Sequence, residues 1–294
     1  MLAYRGEVPA GLPLDLPTFS GSFAFPLKYG YATVGEILDV GEGVTRFSPG
    51  DAVFVHHPHQ EVFVVPESMP VRLPKEIDPV HSVFAANLET AVNIVHDTPL
   101  RLGETALVFG QGVVGLLVTQ LLKLSGARVL AVEPVERRRE LARKLGADVV
   151  FGPGEDLAER VREASDGRSA DVAVEASGAG AALQAAVDSV AVEGTVVVAS
   201  WYGTKPVSLT LGENFHRGRV RLRSSQVGRM NPELLPRWDH ARRMETVMSL
   251  LPRLRLEEII SHRMPFRKAP EAYQLLDERP TETIQVILTH GEKV

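Results

Sequence analysis

Gly110, Gly112 and Gly115 stand in a G-x-G-x-x-G spacing between an apolar run at 106–109 and a second apolar run at 113–124. Each glycine has a physical job in gripping a dinucleotide. The first permits a tight strand-to-helix turn, the second leaves room for a pyrophosphate to reach the backbone, and the third lets the helix lie close on the strand. Val113 and Val114 fill the intervening positions, where the first N–H groups of a helix lack intrahelical partners and the helix dipole favours an anion. Glu133 closes the next apolar run, 128–132, and is placed to accept hydrogen bonds from the adenosine ribose hydroxyls. A carboxylate there repels a 2′-phosphate, so NAD is expected over NADP. Arg137 and Arg138, close behind, keep NADP possible.

Two further groups have reactive side chains. His56, His57 and His59 crowd into HHPHQ, and imidazole serves as metal ligand or general acid. His57 and His59 share one side if the strand continues, whereas Pro58 between them favours a loop. Glu89 is set among Val83, Phe84, Leu88, Val92 and Val95 on a helix expected over 79–96, with Asp78 as its N-cap. A carboxylate ringed by apolar positions either points into a cleft or caps neighbouring backbone.

The elements that must position these groups change in texture along the chain. The first stretch is punctuated by Pro9, Gly11, Pro13, Pro17, Gly21 and Pro26 and reads as irregular. Short strands are expected at 33–40, 52–55, 61–65 and 71–73, an all-β region. From Leu102 strands alternate with helices, the mark of a parallel sheet with crossover helices. Strands are expected at 106–109, 128–132, 148–151, 171–175, 195–200 and 220–225. A helix-rich part at 237–251 precedes a strand near 262–265, a helix at 269–276 and a closing strand at 284–288. The fold class is therefore α/β, a doubly wound parallel sheet joined to a β-rich domain. The boundaries fall at 1–87, 88–226 and 227–294.

Composition excludes several classes. With 294 residues the chain has room for about two domains. A net charge of −5 with interspersed signs leaves no nucleic-acid surface. The absence of cysteine removes disulfides, thiolate metal ligands and a cysteine nucleophile. MLAYRGEVPAG has no apolar signal core, and 113–124, interrupted by Thr119, Gln120 and Lys123, is too short to span a bilayer. A cytoplasmic protein with no membrane partner is expected.

GYATVGEILDVGEGVTRFSPGDAV (30–53), the glycine stretch, ELARKLGADVV (140–150), DVAVEASG (171–178) and TIQVILTH (283–290) together resemble the medium-chain dehydrogenase/reductase superfamily. KYGYxxVG, HPHQ, NLETA and SWYG are similar to segments of a zinc-type subgroup with some likeness to bacteriochlorophyllide dehydrogenases. The resemblance implies a GroES-like catalytic domain, a Rossmann domain, a C-terminal return to the first domain, a cleft between the two, and a homodimer. It also implies a small-molecule substrate and hydride transfer between a nicotinamide and an alcohol/carbonyl pair. Ser177 and Gly178 would then lie near the adenosine ribose, and Ala199, Ser200 and Trp201 near the nicotinamide carboxamide. Asn87–Thr90 would approach the nicotinamide, with Glu89 supporting the site.

The chain departs from zinc-type members in four places. Their G-H-E metal motif corresponds to Gly30-Tyr31-Ala32, and their cysteine ligand falls near Ala85 or Ala86. HHPHQ stands where they carry a four-cysteine lobe. The chain also begins where full-length members already have further strands behind them. A zinc-free enzyme is therefore expected, with Tyr31 or His57 stabilising the substrate oxygen in place of the metal. Gln285 stands where alcohol dehydrogenases have an arginine on the pyrophosphate. Two alternatives remain open at this point: an NADPH-dependent quinone or enoyl reductase, and a nucleotide-binding homologue without catalysis.

Overall fold

The computed structural model describes residues 2–8, 13–16, 19–22 and 25–291, and the chain divides into two units. One is Met1–Ala86 with Met244–Val294, and the other is Asn87–Arg243.

In the first unit β1 (Pro13–Leu16) and β2 (Phe19–Ser22) form an antiparallel pair. This corrects the expectation of irregular structure, since Pro13 heads its strand, where a missing N–H is tolerated. Next, β3 (Thr33–Glu36), β4 (Ala52–Val55) and β5 (Val71–Arg72) form a three-stranded antiparallel sheet. The strand expected at 61–65 does not form. Its alternation is real, since Val62 and Val64 are exposed while Phe63 and Val65 pack on Phe47, Val53 and Val55. Among the described residues no strand pairs with it, however, and side-chain period alone does not make a strand. The helix expected at 79–96 is broken in two, α1 (Pro79–Ser82) and α2 (Ala85–Asp97). Asp78 caps α1, its Oδ1 accepting from Val80 N at 2.8 Å.

The second unit is the alternating one. Its elements in order are β6 (Thr105–Phe109), α3 (Val113–Leu124), β7 (Arg128–Val132), α4 (Glu136–Lys144), β8 (Val149–Phe151) and α5 (Leu157–Ala164). There follow β9 (Ala170–Glu175), α6 (Gly180–Ser189), β10 (Val190–Val198), α7 (Asn214–Arg217), β11 (Arg221–Ser224) and α8 (His240–Leu250), whose last residues pass into the first unit. All six strands are parallel, in the order β11-β10-β9-β6-β7-β8. The chain builds outward from β6 through β7 and β8, then returns to the other side for β9, β10 and β11. Right-handed crossovers then put the helices of the two halves on opposite faces. The switch point lies between β6 and β9, where a doubly wound sheet opens a crevice at its carboxyl edge.

Alternation sets the core. Leu107, Phe109, Leu130 and Val132 point to the face covered by Leu157, Val161, Leu183 and Val187 from α5 and α6. Helix α3 is buried from Gly115 through Leu122 without interruption, so apolar burial rather than capping holds it.

The division after Arg243, rather than at 226/227, has a visible cause. Asn231 Nδ2 donates to His96 O at 3.0 Å, Trp238 meets the His96 ring edge-on at 4.3 Å, and Arg243 reaches α2. Residues 227–243 are thus tied to the second unit. Beyond them, β12 (Ile260–Pro265), α9 (Ala269–Glu278) and β13 (Gln285–Thr289) form a parallel pair with a crossover helix in the first unit.

Candidate functional site

The glycine turn follows β6 at the switch point. Gly110 has φ +84°, a left-handed conformation that glycine adopts without strain, and a Cβ there would lie 2.8 Å from Ser177 Cα. A Cβ on Gly115 would lie 1.9 Å from Gly110 O, so the protein's own packing demands glycine at both positions. Gly112 is different. Its φ of −76° suits any residue, and a Cβ would meet nothing within 4 Å. It is also the N-cap of α3 and, having no side chain, leaves the first N–H groups, of Val113 and Val114, without a side-chain cap from it. The protein gives no packing reason for glycine at 112, whereas a ligand approaching the backbone does. The turn therefore fits a dinucleotide pyrophosphate.

Glu133, at the end of β7, is 2% exposed. Its Oε2 accepts from Gln111 N at 2.7 Å and its Oε1 from Val135 N at 3.0 Å. The carboxylate thus braces the glycine turn and the β7–α4 loop, each oxygen keeping a further lone-pair direction. Behind it, Arg139 donates to the carbonyls of Glu133 and Pro134, while Arg137 is exposed. Gln111 points inward, accepting from Thr119 Oγ1 at 3.0 Å.

Because the sheet is parallel, the loops after β9 and β10 emerge at the same carboxyl edge. They carry Ser177 and Gly178, and then Ala199, Ser200 and Trp201. Between them sits Glu175, fully buried, which sequence reading passed over. Glu89 is buried as well. Its Oε1 accepts from Arg243 Nη2 at 2.7 Å and Nε at 3.1 Å, and Arg243 Nη1 donates to Asn93 Oδ1 at 2.7 Å. Arg243 itself is 2% exposed. The network continues along α2, with Asn93 donating to Asp97 Oδ2, which also accepts from Ser225 Oγ. The sequence carried no sign of Arg243, which stands in a charged run. The i, i+4 spacing of Glu89, Asn93 and Asp97 was the available clue.

In the first unit, Tyr31 is 45% exposed, yet surrounding protein pushes its phenol up to about 12, with Tyr29 adding to the shift. The two observations agree if an accessible group lies among dense neighbours, and accessibility decides whether a substrate can reach it. His56 Nδ1 lies 3.1 Å from Tyr31 O. His57 is half-buried and stacked on Phe63 at 3.7 Å. Its Nδ1 lies 2.8 Å from Pro58 O, so Nδ1 donates and Nε2 is left as the acceptor. His59 is held against the backbone at Gly30, whose φ of +111° and missing Cβ admit its ring. Burial lowers the His59 pKa, and His290 lowers it further. Tyr273, on α9, was not singled out from the sequence. Its ring meets Tyr29 edge-on at 6.2 Å and stacks with Tyr4 at 5.9 Å, and burial, then Tyr29 and Tyr31, pushes its phenol up to about 12.

These tyrosines have a measurable consequence. Phenols that ionise near 10.0 in the unfolded chain and near 12 in the fold leave the folded state holding more protons in between. Their contribution to stability is whole below pH 10 and is lost as pH rises through about 12. Denaturant midpoints measured across that window should fall, and should fall less steeply for Tyr273→Phe.

The D-guloside 3-dehydrogenase of Escherichia coli (strain K12) is 30% identical over 286 residues, spanning 94% of this chain and 81% of the relative. The chain belongs to the medium-chain dehydrogenase/reductase superfamily. The family model described as zinc-binding dehydrogenase matches residues 113–241 of this medium-chain dehydrogenase. The L-threonine 3-dehydrogenase of Pyrococcus abyssi (strain GE5 / Orsay) is 31% identical over 298 residues, covering 90% of this chain and 82% of its own. Among solved structures, an alcohol dehydrogenase from Thermus sp. ATN1 superposes with a TM-score of 0.74 at 25% identity, covering 99% of this chain and 88% of that one. The fold is the superfamily's Rossmann sheet with a GroES-like domain. The protein is an alcohol dehydrogenase-like, NAD(P)-dependent oxidoreductase acting on a small molecule.

At the positions where the resemblance places the zinc ligands, the residues present do not match a zinc ligand set. Gly30, Tyr31 and Ala32 offer no imidazole or carboxylate, and Ala85 and Ala86 offer no thiolate. Among the described residues no group of three or more His, Cys, Asp or Glu side chains is arranged to hold a metal ion. No described helix is long and apolar enough to cross a membrane.

Proposed function

We propose that this protein is an NAD(H)-dependent, zinc-independent dehydrogenase that interconverts a small hydroxylated alcohol and its carbonyl. The observation that carries the reading is the open space at Gly112, where in the setting of the glycine turn a pyrophosphate can approach the backbone. The relatives are named for guloside, threonine and butanediol, which supports a hydroxylated substrate. When bound, the nicotinamide accepts or returns a hydride. The chain's own residues do the rest. Gly110, Gly112, Gly115 and the N–H groups of Val113 and Val114 hold the pyrophosphate. Glu133 takes the ribose hydroxyls and disfavours a 2′-phosphate, so NADH binds more tightly than NADPH. Ser177 and Gly178 border the ribose, and Ala199, Ser200 and Trp201 the carboxamide.

Alcohol oxidation releases a hydride from carbon and a proton from oxygen. A Tyr31 phenol held near 12 keeps its proton at neutral pH, so it donates a hydrogen bond to the substrate oxygen and is a poor base. The proton is better taken by Nε2 of His57. Glu89 acts through Arg243 rather than on substrate. The same reading takes the protein as a cytoplasmic homodimer, which sedimentation would check; β11 supplies an edge strand.

Fluorescence titration with NADH and NADPH, with metal analysis of the purified protein, tests the reading. Tighter NADH binding and activity retained after chelation are expected. A preference for NADPH would favour the quinone or enoyl reductase alternative. Tyr31→Phe should lower kcat by about 10²-fold or more while leaving NADH affinity unchanged. Equal kcat would remove Tyr31 from the chemistry.

A further inference from the structure

Glu175 ends β9, one of the two strands at the switch point, paired with Phe109 on β6 and Val198 on β10. It is 0% exposed, and a carboxylate at that depth is tolerated only with a full set of donors. Its donors come from two loops. From the loop after β9, Oε1 accepts from Ser177 N at 2.7 Å, Ser177 Oγ at 2.5 Å and Gly178 N at 3.0 Å. From the loop after β10, Oε2 accepts from Tyr202 OH at 2.7 Å. The backbone of the same residue repeats the pattern. Glu175 O accepts from Ala199 N at 2.9 Å, Ser200 N at 3.2 Å and Ser200 Oγ at 3.3 Å.

The third loop of the edge is locked on as well, because Ser177 fills the space that a Cβ on Gly110 would need. Glu175 therefore joins the Ser177–Gly178 loop to the Ser200–Tyr202 loop, and Ser177 carries the link on to the glycine turn. Tyr202 cannot be replaced by a generic packing residue in this role, since its link is the hydroxyl. Burial and then the Glu175 bond hold that phenol in its protonated, donating form, shifting its pKa upward.

We propose that Glu175, with Tyr202, is a positioning residue that preorganises the two loops after β9 and β10 as one wall of the dinucleotide site. The proposal rests on the dinucleotide reading of the glycine turn. A wall fixed before binding spares the ligand the cost of ordering two loops. Loss of the link therefore falls on cofactor affinity more than on turnover.

Tyr202→Phe removes one hydroxyl and leaves the core volume nearly unchanged. Its Kd for NADH, and its KM for NAD, should rise about ten- to a hundredfold, the range expected for losing a hydrogen bond to a charged group, while kcat changes little. Amide hydrogen exchange should quicken at residues 199–203 and stay as in wild type at residues 110–115. Glu175→Gln should be milder than Glu175→Ala, because its carbonyl can still accept from Ser177 and Gly178 while its amide donates to Tyr202. If Glu175→Ala fails to fold, the Tyr202→Phe and Glu175→Gln measurements decide alone. Unchanged NADH affinity in Tyr202→Phe, with or without a lower Tm, would overturn the proposal and leave the bond purely structural. Wild-type protein that failed to bind NADH would instead sink the dinucleotide reading.

Discussion

Gly112→Val is expected to abolish dinucleotide binding and leave the fold standing. Nothing in the protein lies within 4 Å of the new Cβ, and φ of −76° is ordinary for valine. The structural penalty is limited to a weaker N-cap on α3, about 1 kcal/mol, or a few degrees in Tm. The functional penalty is large because the side chain stands where the pyrophosphate must meet the backbone. Gly115→Ala provides the contrast. Its Cβ would sit 1.9 Å from Gly110 O, so either α3 moves off β6 or the turn opens, and Tm and binding fall together. NADH fluorescence titrations and melting curves on both variants separate the two roles. Normal NADH affinity in Gly112→Val would remove the observation on which the functional reading stands.

Arg243→Ala is expected to cost about 3–5 kcal/mol, because it leaves Glu89 buried without its counter-charge. Total stabilities are of order 5–15 kcal/mol, so this is a severe lesion, roughly 6–20 °C in Tm for a domain of this size. Glu89→Ala should also be destabilising, because a guanidinium that is 2% exposed loses its bonds to the carboxylate and keeps Asn93 Oδ1 at 2.7 Å and His240 Nδ1 at 3.2 Å. The double replacement should cost much less than the sum, since neither charge is then left alone. A double-mutant cycle measured by denaturant unfolding checks this. It also settles the job of Glu89. Lost turnover at unchanged stability in Glu89→Ala would mark direct action on substrate, whereas strong coupling to Arg243 marks support.

The two halves of the protein were unequally legible. Helix α3 and strand β7 could be read to the residue, because a largely buried helix and a largely buried strand announce themselves as strongly apolar stretches set off by glycine turns. The break between α1 and α2 was hidden because Val83, Phe84, Ala85 and Ala86 are apolar and would suit a continuous helix. Val62 and Val64 misled in the opposite way, since a strand's side-chain alternation persists without a strand's hydrogen bonds. At the site, Glu133 was found by its place after β7, but its service to Gln111 and Val135 was not, since backbone N–H donors leave no mark on composition. Arg243 and Glu89 are 154 residues apart in the chain, and Tyr202 and Glu175 are 27 apart. Such pairs are made by the fold and have no local signature.

The division at Asn87 and Arg243 also has a consequence for synthesis. Everything that the dinucleotide unit needs, including the arginine that clasps its first helix, has been synthesised once residue 243 is made. The other unit has by then waited through the whole of that insertion, with its early strands complete and β12, α9 and β13 not yet translated. The nucleotide-binding unit can therefore mature before the other unit, whose β12, α9 and β13 are made after it.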